Sequence, residues 1–183
     1  PTHLDGARLY MMAAATGINP KSYVGLFDSV YVSLYKYFGA PYGAILAGKA
    51  EFIDGLYEDR RMFGGGLMSS YVAAALALRG IGIFEENFSQ AMAKSKTLFK
   101  QLNNLDGVSV KGLENGSTIF RLEMPECVDL DKFITHMRND NIFLYRDEVN
   151  PDSIFITVNT TLLRQTNVDI YKSFEKALFH SKT

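Results

Sequence analysis

Three side chains near the start of this sequence have types and spacing that suit chemistry on a carbonyl or amine. His3-Leu4-Asp5-Gly6-Ala7-Arg8 sets a carboxylate at an apparent strand end, with a glycine behind it and an arginine three residues on. Downstream, the β-branched and aromatic run from Val30 closes on Lys36, followed by Tyr37, Phe38 and a Gly39-Ala40-Pro41 break. Asp5 and Lys36 are separated by roughly the length of one strand–helix–strand unit. Both can therefore stand at the same edge of one parallel sheet, the edge where open α/β sheets bind ligands. A lysine where a buried strand gives way to a turn is poorly placed for solvation, and a buried ammonium gives up its proton more readily. Such an amine can form an imine with an aldehyde. The alternative is a strand-end lysine that snorkels to water.

The elements that must position these groups follow from pattern. Residues 2–4 read as a strand end. Residues 8–16, rich in alanine and methionine, read as a helix closed by Gly17. Asn19-Pro20 marks a turn or a new helix start. Strands are predicted over 29–35 and 42–47, the second ended by Gly48. Their link is too short for a helical crossover, which implies an antiparallel hairpin. Residues 49–62 read as one helix. Gly64-Gly65-Gly66 then interrupts; each glycine costs about 1 kcal/mol relative to alanine inside a helix. The triplet either admits positive φ and a close backbone approach or is a flexible loop.

Two further helices are predicted, 69–79 and 84–102. The first carries a nearly continuous apolar run over 71–78, the mark of a helix buried on most sides. A boundary is placed near 104–107, dividing 1–104 from a smaller α+β region, 105–183. Within the latter, strands are predicted over 108–110, 117–123, 142–146 and 153–159, and helices over 129–139 and 168–180.

Composition narrows the function classes. The chain has 183 residues, 47% of them hydrophobic, so a packed core is within reach. A net charge of −1 shows no basic excess, which argues against nucleic acid or an anionic membrane as partner. The single cysteine, Cys127, precludes an intrachain disulfide and fits a reducing, cytoplasmic setting. No apolar run reaches membrane-spanning length and no signal peptide is visible.

Three blocks in order carry a resemblance: His3-Leu4-Asp5-Gly6-Ala7-Arg8, Lys36-Tyr37-Phe38-Gly39-Ala40-Pro41-Tyr42-Gly43, and Arg60-Arg61-Met62-Phe63-Gly64-Gly65-Gly66. Together they resemble the pyridoxal-phosphate-dependent threonine aldolases, within the β-eliminating lyase group of the aspartate-aminotransferase fold. The resemblance implies fold type I, with 1–104 as the C-terminal part of the large domain and 105–183 as the small domain. It implies pyridoxal phosphate as cofactor, an amino acid as substrate, a homodimer or homotetramer, and no metal. It also implies a substantial N-terminal part ahead of Asp5, so the expectation is a C-terminal piece of a larger enzyme.

In that resemblance Lys36 holds the cofactor as an imine and Asp5 pairs with the pyridine nitrogen, keeping the ring an electron sink. Arg8 contacts the ring hydroxyl side or a substrate carboxylate. Ser33 stands where related aminotransferases bind the cofactor phosphate; a strand serine bonded to backbone is the other reading. His3 is either a ring neighbour or a core histidine bonded to backbone. Arg60 and Arg61 either reach a phosphate across a dimer interface or form a solvated pair.

The sequence also departs from the pattern. The usual Ser-Lys-Gly-Leu-Gly is Tyr35-Lys36-Tyr37-Phe38-Gly39, and the Arg-Gln after the triple glycine is replaced within Met68-Ser69-Ser70. A late strand that usually opens with the carboxylate-binding arginine reads Phe155-Ile156-Thr157-Val158-Asn159, leaving Arg146 or Arg164 as substitutes. The function expected is retro-aldol cleavage of threonine or allo-threonine to glycine and an aldehyde. The alternatives are another fold type I enzyme, a β-eliminating lyase or aminotransferase, or an inactive fragment of one.

Overall fold

The computed structural model describes residues 1–114, 116, 118–147 and 153–182. They form two compact units, Pro1–Phe88 and Ser89 onward.

The first unit is built on a three-stranded sheet ordered β1 (His3–Asp5), β2 (Ser29–Ser33), β3 (Ala44–Gly48). β1 and β2 are parallel, with Asp5 opposite Tyr31. β2 and β3 form the expected antiparallel hairpin, with Ser33 opposite Ala44. Side chains alternate across a strand, so His3, Asp5, Ser29, Tyr31 and Ser33 share a polar face. Leu4, Val30 and Val32 share the other face. Helix α1 (Leu9–Thr16) makes the parallel crossover and ends on Gly17, whose φ of 72° is the left-handed conformation that a helix C-terminus favours. The short α2 (Pro20–Val24) starts on an Asn19 cap, with proline at its first position.

The predicted helix over 49–62 is two: α3 (Ala50–Ile53) and α4 (Leu56–Met62), parted at Asp54-Gly55. The predicted pair over 69–79 and 84–102 is instead a single helix, α5 (Ser70–Leu102). Its start is not buried on most sides. Ala73 and Ala77 are buried, but Tyr71, Val72, Leu76 and Leu78 are exposed. An apolar run signals a surface that water disfavours; it does not say what covers it.

The second unit is a four-stranded antiparallel sheet ordered β4 (Ser109–Gly112), β5 (Ile119–Glu123), β7 (Ile154–Thr157), β6 (Tyr145–Arg146). β6 is shorter than the predicted strand over 142–146: after the turn at Asn141, with φ 60°, the Ile142 amide donates back to the Met137 carbonyl rather than into a ladder. Ser117, the expected first residue of β5, lies outside the described residues. Helices α6 (Leu130–Asn139) and α7 (Asn167–Ser181) pack together, and a 3-10 turn, Thr160–Arg164, precedes α7. Their inward residues join Leu98, Phe99 and Leu102 of α5 and Val110, Leu122 and Ile154 of the sheet in one apolar core. Asp129 caps α6 through the amides of Asp131 and Lys132, and Thr166 caps α7 through that of Asp169.

Candidate active site

The parallel register of β1 and β2 fixes where the chemical groups emerge. Asp5 is the last residue of β1, and Lys36 lies in the turn three residues beyond the end of β2. Both therefore leave the sheet at its C-terminal edge, as the spacing allows. The turn after Asp5 is tight. Its Oδ1 accepts from the amide of Ala7 at 3.1 Å, and a Cβ on Gly6 would stand 2.8 Å from the carbonyl oxygen of Tyr31. Glycine is thus what lets the acid's turn lie against β2. Arg8 follows at the N-cap of α1 and is exposed.

Lys36 is exposed, which corrects the expectation of a buried amine. The strand ends at Ser33, two residues earlier than predicted, so the lysine sits on a turn open to water. Its Nζ lies 5.8 Å from the Tyr35 ring centroid, a cation–π contact. Among the described residues, Asp5, Arg8 and Lys36 make no ion pair. An acid, a guanidinium and an amine stand at one sheet edge with none consumed by another.

Beneath the lysine turn lies an aromatic cluster that the sequence reading did not find. Phe38 is 1% exposed and packs against Tyr10, Tyr37 and Phe84 at centroid distances of 5.1, 4.4 and 5.3 Å. The signal was available as two bulky rings where the resemblance has glycine and leucine. The hydroxyl oxygen of Tyr37 is enclosed and closes no hydrogen bond among the described residues. Burial pushes this phenol up to about 12, while the Tyr10 backbone and the Arg8 guanidinium act the other way.

The remaining site residues are placed as follows. Ser33 is fully buried and its Oγ donates to the Tyr31 hydroxyl at 3.2 Å, a side-chain rather than a backbone partner. His3 is exposed and its Nδ1 lies 2.8 Å from Ser29 Oγ, so it is not a core histidine bonded to backbone. Arg60 and Arg61 both lie over the Tyr57 ring, at 5.5 and 5.7 Å, and Arg61 approaches Glu58 at 3.9 Å. The triple glycine closes α4 onto them: Gly64 has φ 83°, and a Cβ on Gly65 would meet Arg60 Cγ at 2.5 Å. In the second unit, Arg146 reaches Asp131 at 3.0 Å, while Arg164 is exposed at the end of the 3-10 turn.

Pyridoxal phosphate asks a site for an amine to join its aldehyde and a carboxylate to face its ring nitrogen. The donor set at this edge fits: Lys36 is exposed and unpaired, and Asp5 keeps one carboxylate oxygen clear of the Ala7 amide. The enclosed, unpartnered Tyr37 hydroxyl beside the same turn adds a donor with no present use.

Comparisons with known proteins place the chain in a family. The Beta-eliminating lyase family matches residues 1–124. The low-specificity L-threonine aldolase of Candida albicans is 42% identical over 79 residues, covering 43% of this chain and 21% of that protein. Low-specificity L-threonine aldolase 1 of Arabidopsis thaliana is 31% identical over 149 residues, covering 79% of this chain and 41% of that protein. A putative L-allo-threonine aldolase from Listeria monocytogenes superposes with a TM-score of 0.69 at 27% identity, covering 96% of this chain and 52% of that structure. An ornithine aminotransferase from Toxoplasma gondii, 11% identical with a TM-score of 0.59, shares the fold alone. The chain spans about half the length of these solved structures and less than half of the curated relatives. Its fold is that of the fold type I pyridoxal-phosphate enzymes, and the chain belongs to the Beta-eliminating lyase family.

Proposed function

We propose that this chain is part of a pyridoxal-phosphate-dependent lyase of threonine-aldolase type, cleaving the Cα–Cβ bond of threonine or allo-threonine to glycine and an aldehyde. The observation that carries this reading is the parallel register that brings Asp5 and Lys36, each unpaired, to one edge of one sheet. When bound, the cofactor supplies an electron sink for the bonds at the substrate Cα. Lys36 supplies the amine that holds it. Asp5 keeps a proton on its ring nitrogen, a task that needs a carboxylate and not an amide. Arg8 offers a planar fork to the ring hydroxyl or to a substrate carboxylate. Ser33 serves a phosphate oxygen only by releasing Tyr31. Residues 1–104 then belong to the cofactor-binding large domain and 105–183 to the small one, in a cytoplasmic homodimer or homotetramer.

The test is borohydride trapping of pyridoxal phosphate on the full chain, with peptide mass mapping. The expected result is a modified Lys36 and loss of the visible cofactor band in Lys36→Ala. A cofactor trapped on another lysine, or a band that survives Lys36→Ala, overturns the assignment. With threonine as substrate, glycine plus acetaldehyde supports the aldolase; oxobutyrate plus ammonia, or an exchanged oxo-acid, turns the reading to an eliminating lyase or an aminotransferase of the same fold. Asp5→Asn keeps the shape and removes the charge; it is expected to cost about 10²-fold or more in turnover, the scale of losing one preorganised electrostatic group.

A further inference from the structure

The turn that carries Lys36 is held at two points, and the second is a glycine inside α5. At the first, the amide of Leu34 donates to the carbonyl of Gly43 at 3.0 Å, closing the base of the loop between β2 and β3. At the second, the backbone of Phe38 lies directly against α5 at Gly80. A Cβ built on Gly80 would come within 2.5 Å of the Phe38 carbonyl carbon and 2.9 Å of its Cα, with the carbonyl oxygen nearer still. Ordinary carbon contacts lie near 3.5–4.0 Å, so any side chain at position 80 must displace the Phe38 backbone by roughly 1 Å. Only Tyr35, Lys36 and Tyr37 lie between the two points, so a displacement of Phe38 is passed to the lysine.

Glycine in a helix interior is unfavourable relative to alanine, and α5 carries two within three residues, Gly80 and Gly82. They differ in surroundings: among the described residues nothing lies within 4 Å of a Cβ built on Gly82. The helix thus provides its own control, with the same substitution giving the same propensity gain at both positions and a backbone collision at one. The Phe38 ring is locked among Tyr10, Tyr37 and Phe84, so the loop cannot slide away from the helix without breaking the aromatic cluster.

We propose that Gly80 is a positioning residue for Lys36: its missing side chain seats the Phe38 backbone on α5 and so sets where the lysine amine is presented. This rests on the reading of Lys36 as the cofactor lysine. Gly80→Ala and Gly82→Ala are compared in the full chain, well below each variant's unfolding midpoint, by the rate of borohydride-trapped pyridoxal phosphate at Lys36 and the position of the visible cofactor band. The expected result is wild-type behaviour for Gly82→Ala. For Gly80→Ala, trapping is expected to be tenfold or more slower with a shifted band, since a 1 Å misplacement costs up to about 10²-fold. A purely structural role moves the midpoint and leaves trapping of the folded chain alone, so equal rates in the two variants overturn the proposal. Should Gly80→Ala not fold, one glycine inserted between Tyr37 and Phe38 leaves both anchor points intact and gives the lysine slack. It is expected to slow trapping likewise, and an unchanged rate overturns the proposal. Wild type that is not modified at Lys36 defeats the cofactor reading and this one with it; wild type modified at Lys36, with Gly80→Ala indistinguishable from it, defeats this one alone.

Discussion

The two units bury their apolar side chains very differently. In the second, Phe133, Met137, Ile154 and Ala177 are fully enclosed, drawn from α6, the sheet and α7. In the first, Met68 is 97% exposed and Phe63 85%, all five residues of β3 are exposed, and the first turns of α5 show Tyr71 and Leu78 to water. A unit that closes its own core is organised by its own sequence. A unit that leaves so many large apolar groups outside presents a surface shaped for contact with other protein. The chemical residues, Asp5, Arg8 and Lys36, all belong to the less closed unit. Buried side chains of that unit lie in β2, in α1 and in the aromatic cluster under the lysine turn, the elements nearest those residues.

The largest expected effect tests the closed side of the contrast. Phe133→Ala removes a fully buried ring packed edge-on against Phe174 at 5.6 Å, and should cost about 3–5 kcal/mol. The same class of change at Phe63, Phe63→Ala, should lie within about 0.5 kcal/mol of wild type, the range of surface substitutions. Denaturant unfolding followed by circular dichroism measures both. Comparable losses at the two positions would show that Phe63 is covered in solution and that the contrast between the units is false.

Next in size is association. The chain in solution is expected to self-associate through the exposed residues of α5 and the loop before it, and Met68→Ser with Leu78→Ser should lower the associated fraction severalfold at a given concentration. Sedimentation velocity reads this, and an unchanged distribution assigns the association to another surface.

How far the sequence foretold this depends on which physics each feature obeys. The Asp5–Lys36 edge was legible because parallel pairing and crossover length are local geometry. So were the β2–β3 hairpin and the ends of α6 and α7, where Asp129 and Thr166 serve as caps. The continuity of α5 was not, because Arg79-Gly80-Ile81-Gly82-Ile83 reads as a break by propensity, while a helix anchored on both sides carries two glycines through. The exposure of 71–78 was not, because apolar content is a property of the chain and burial a property of its surroundings. The open position of Lys36 was missed for a smaller reason: the strand stops at Ser33, and three residues of turn suffice to bring an amine to water. Contact between Gly80 and Phe38 joins residues distant in sequence, and no spacing rule announces it.

A third prediction reads the first unit through its buried phenol. Burial pushes the Tyr37 phenol up from an ordinary 10 to about 12. Its proton is held more tightly in the folded chain, so its contribution to stability is complete below pH 10 and is lost as pH rises from 10 through about 12. Tyr171 in the second unit is shifted the same way, by desolvation and by Glu175, so the difference between wild type and Tyr37→Phe isolates the first unit. The variant should flatten the alkaline loss. At pH 7 it should be as stable as wild type or more so by about 1 kcal/mol, because an enclosed hydroxyl without a partner is removed. An alkaline loss in Tyr37→Phe as steep as in wild type would show that the phenol is not the group held, and a loss of stability at pH 7 would show that its hydroxyl is hydrogen-bonded.

The smallest effect belongs to the second unit and the acid side. The amides of Lys132 and Asp131, with the Lys132 ammonium at 3.6 Å, hold the half-buried Asp129 carboxyl below its ordinary value. A depressed carboxyl contributes stability that is fully present above its unfolded value near 3.8 and is lost as pH falls through the lower folded value. Asp28 in the first unit behaves alike, held by the backbone and hydroxyl of Thr2. Replacing Asp129 by alanine should therefore remove part of the acid-side slope and lower the unfolding midpoint by a few degrees at pH 7, where the cap is charged. As pH falls well below 3.8 the two proteins should converge, because the wild-type cap then loses its charge. Thermal melts at the two pH values decide it. A gap that persists undiminished at low pH would assign the cap's worth to hydrogen-bond geometry that survives protonation, and would remove charge from the account of how α6 begins.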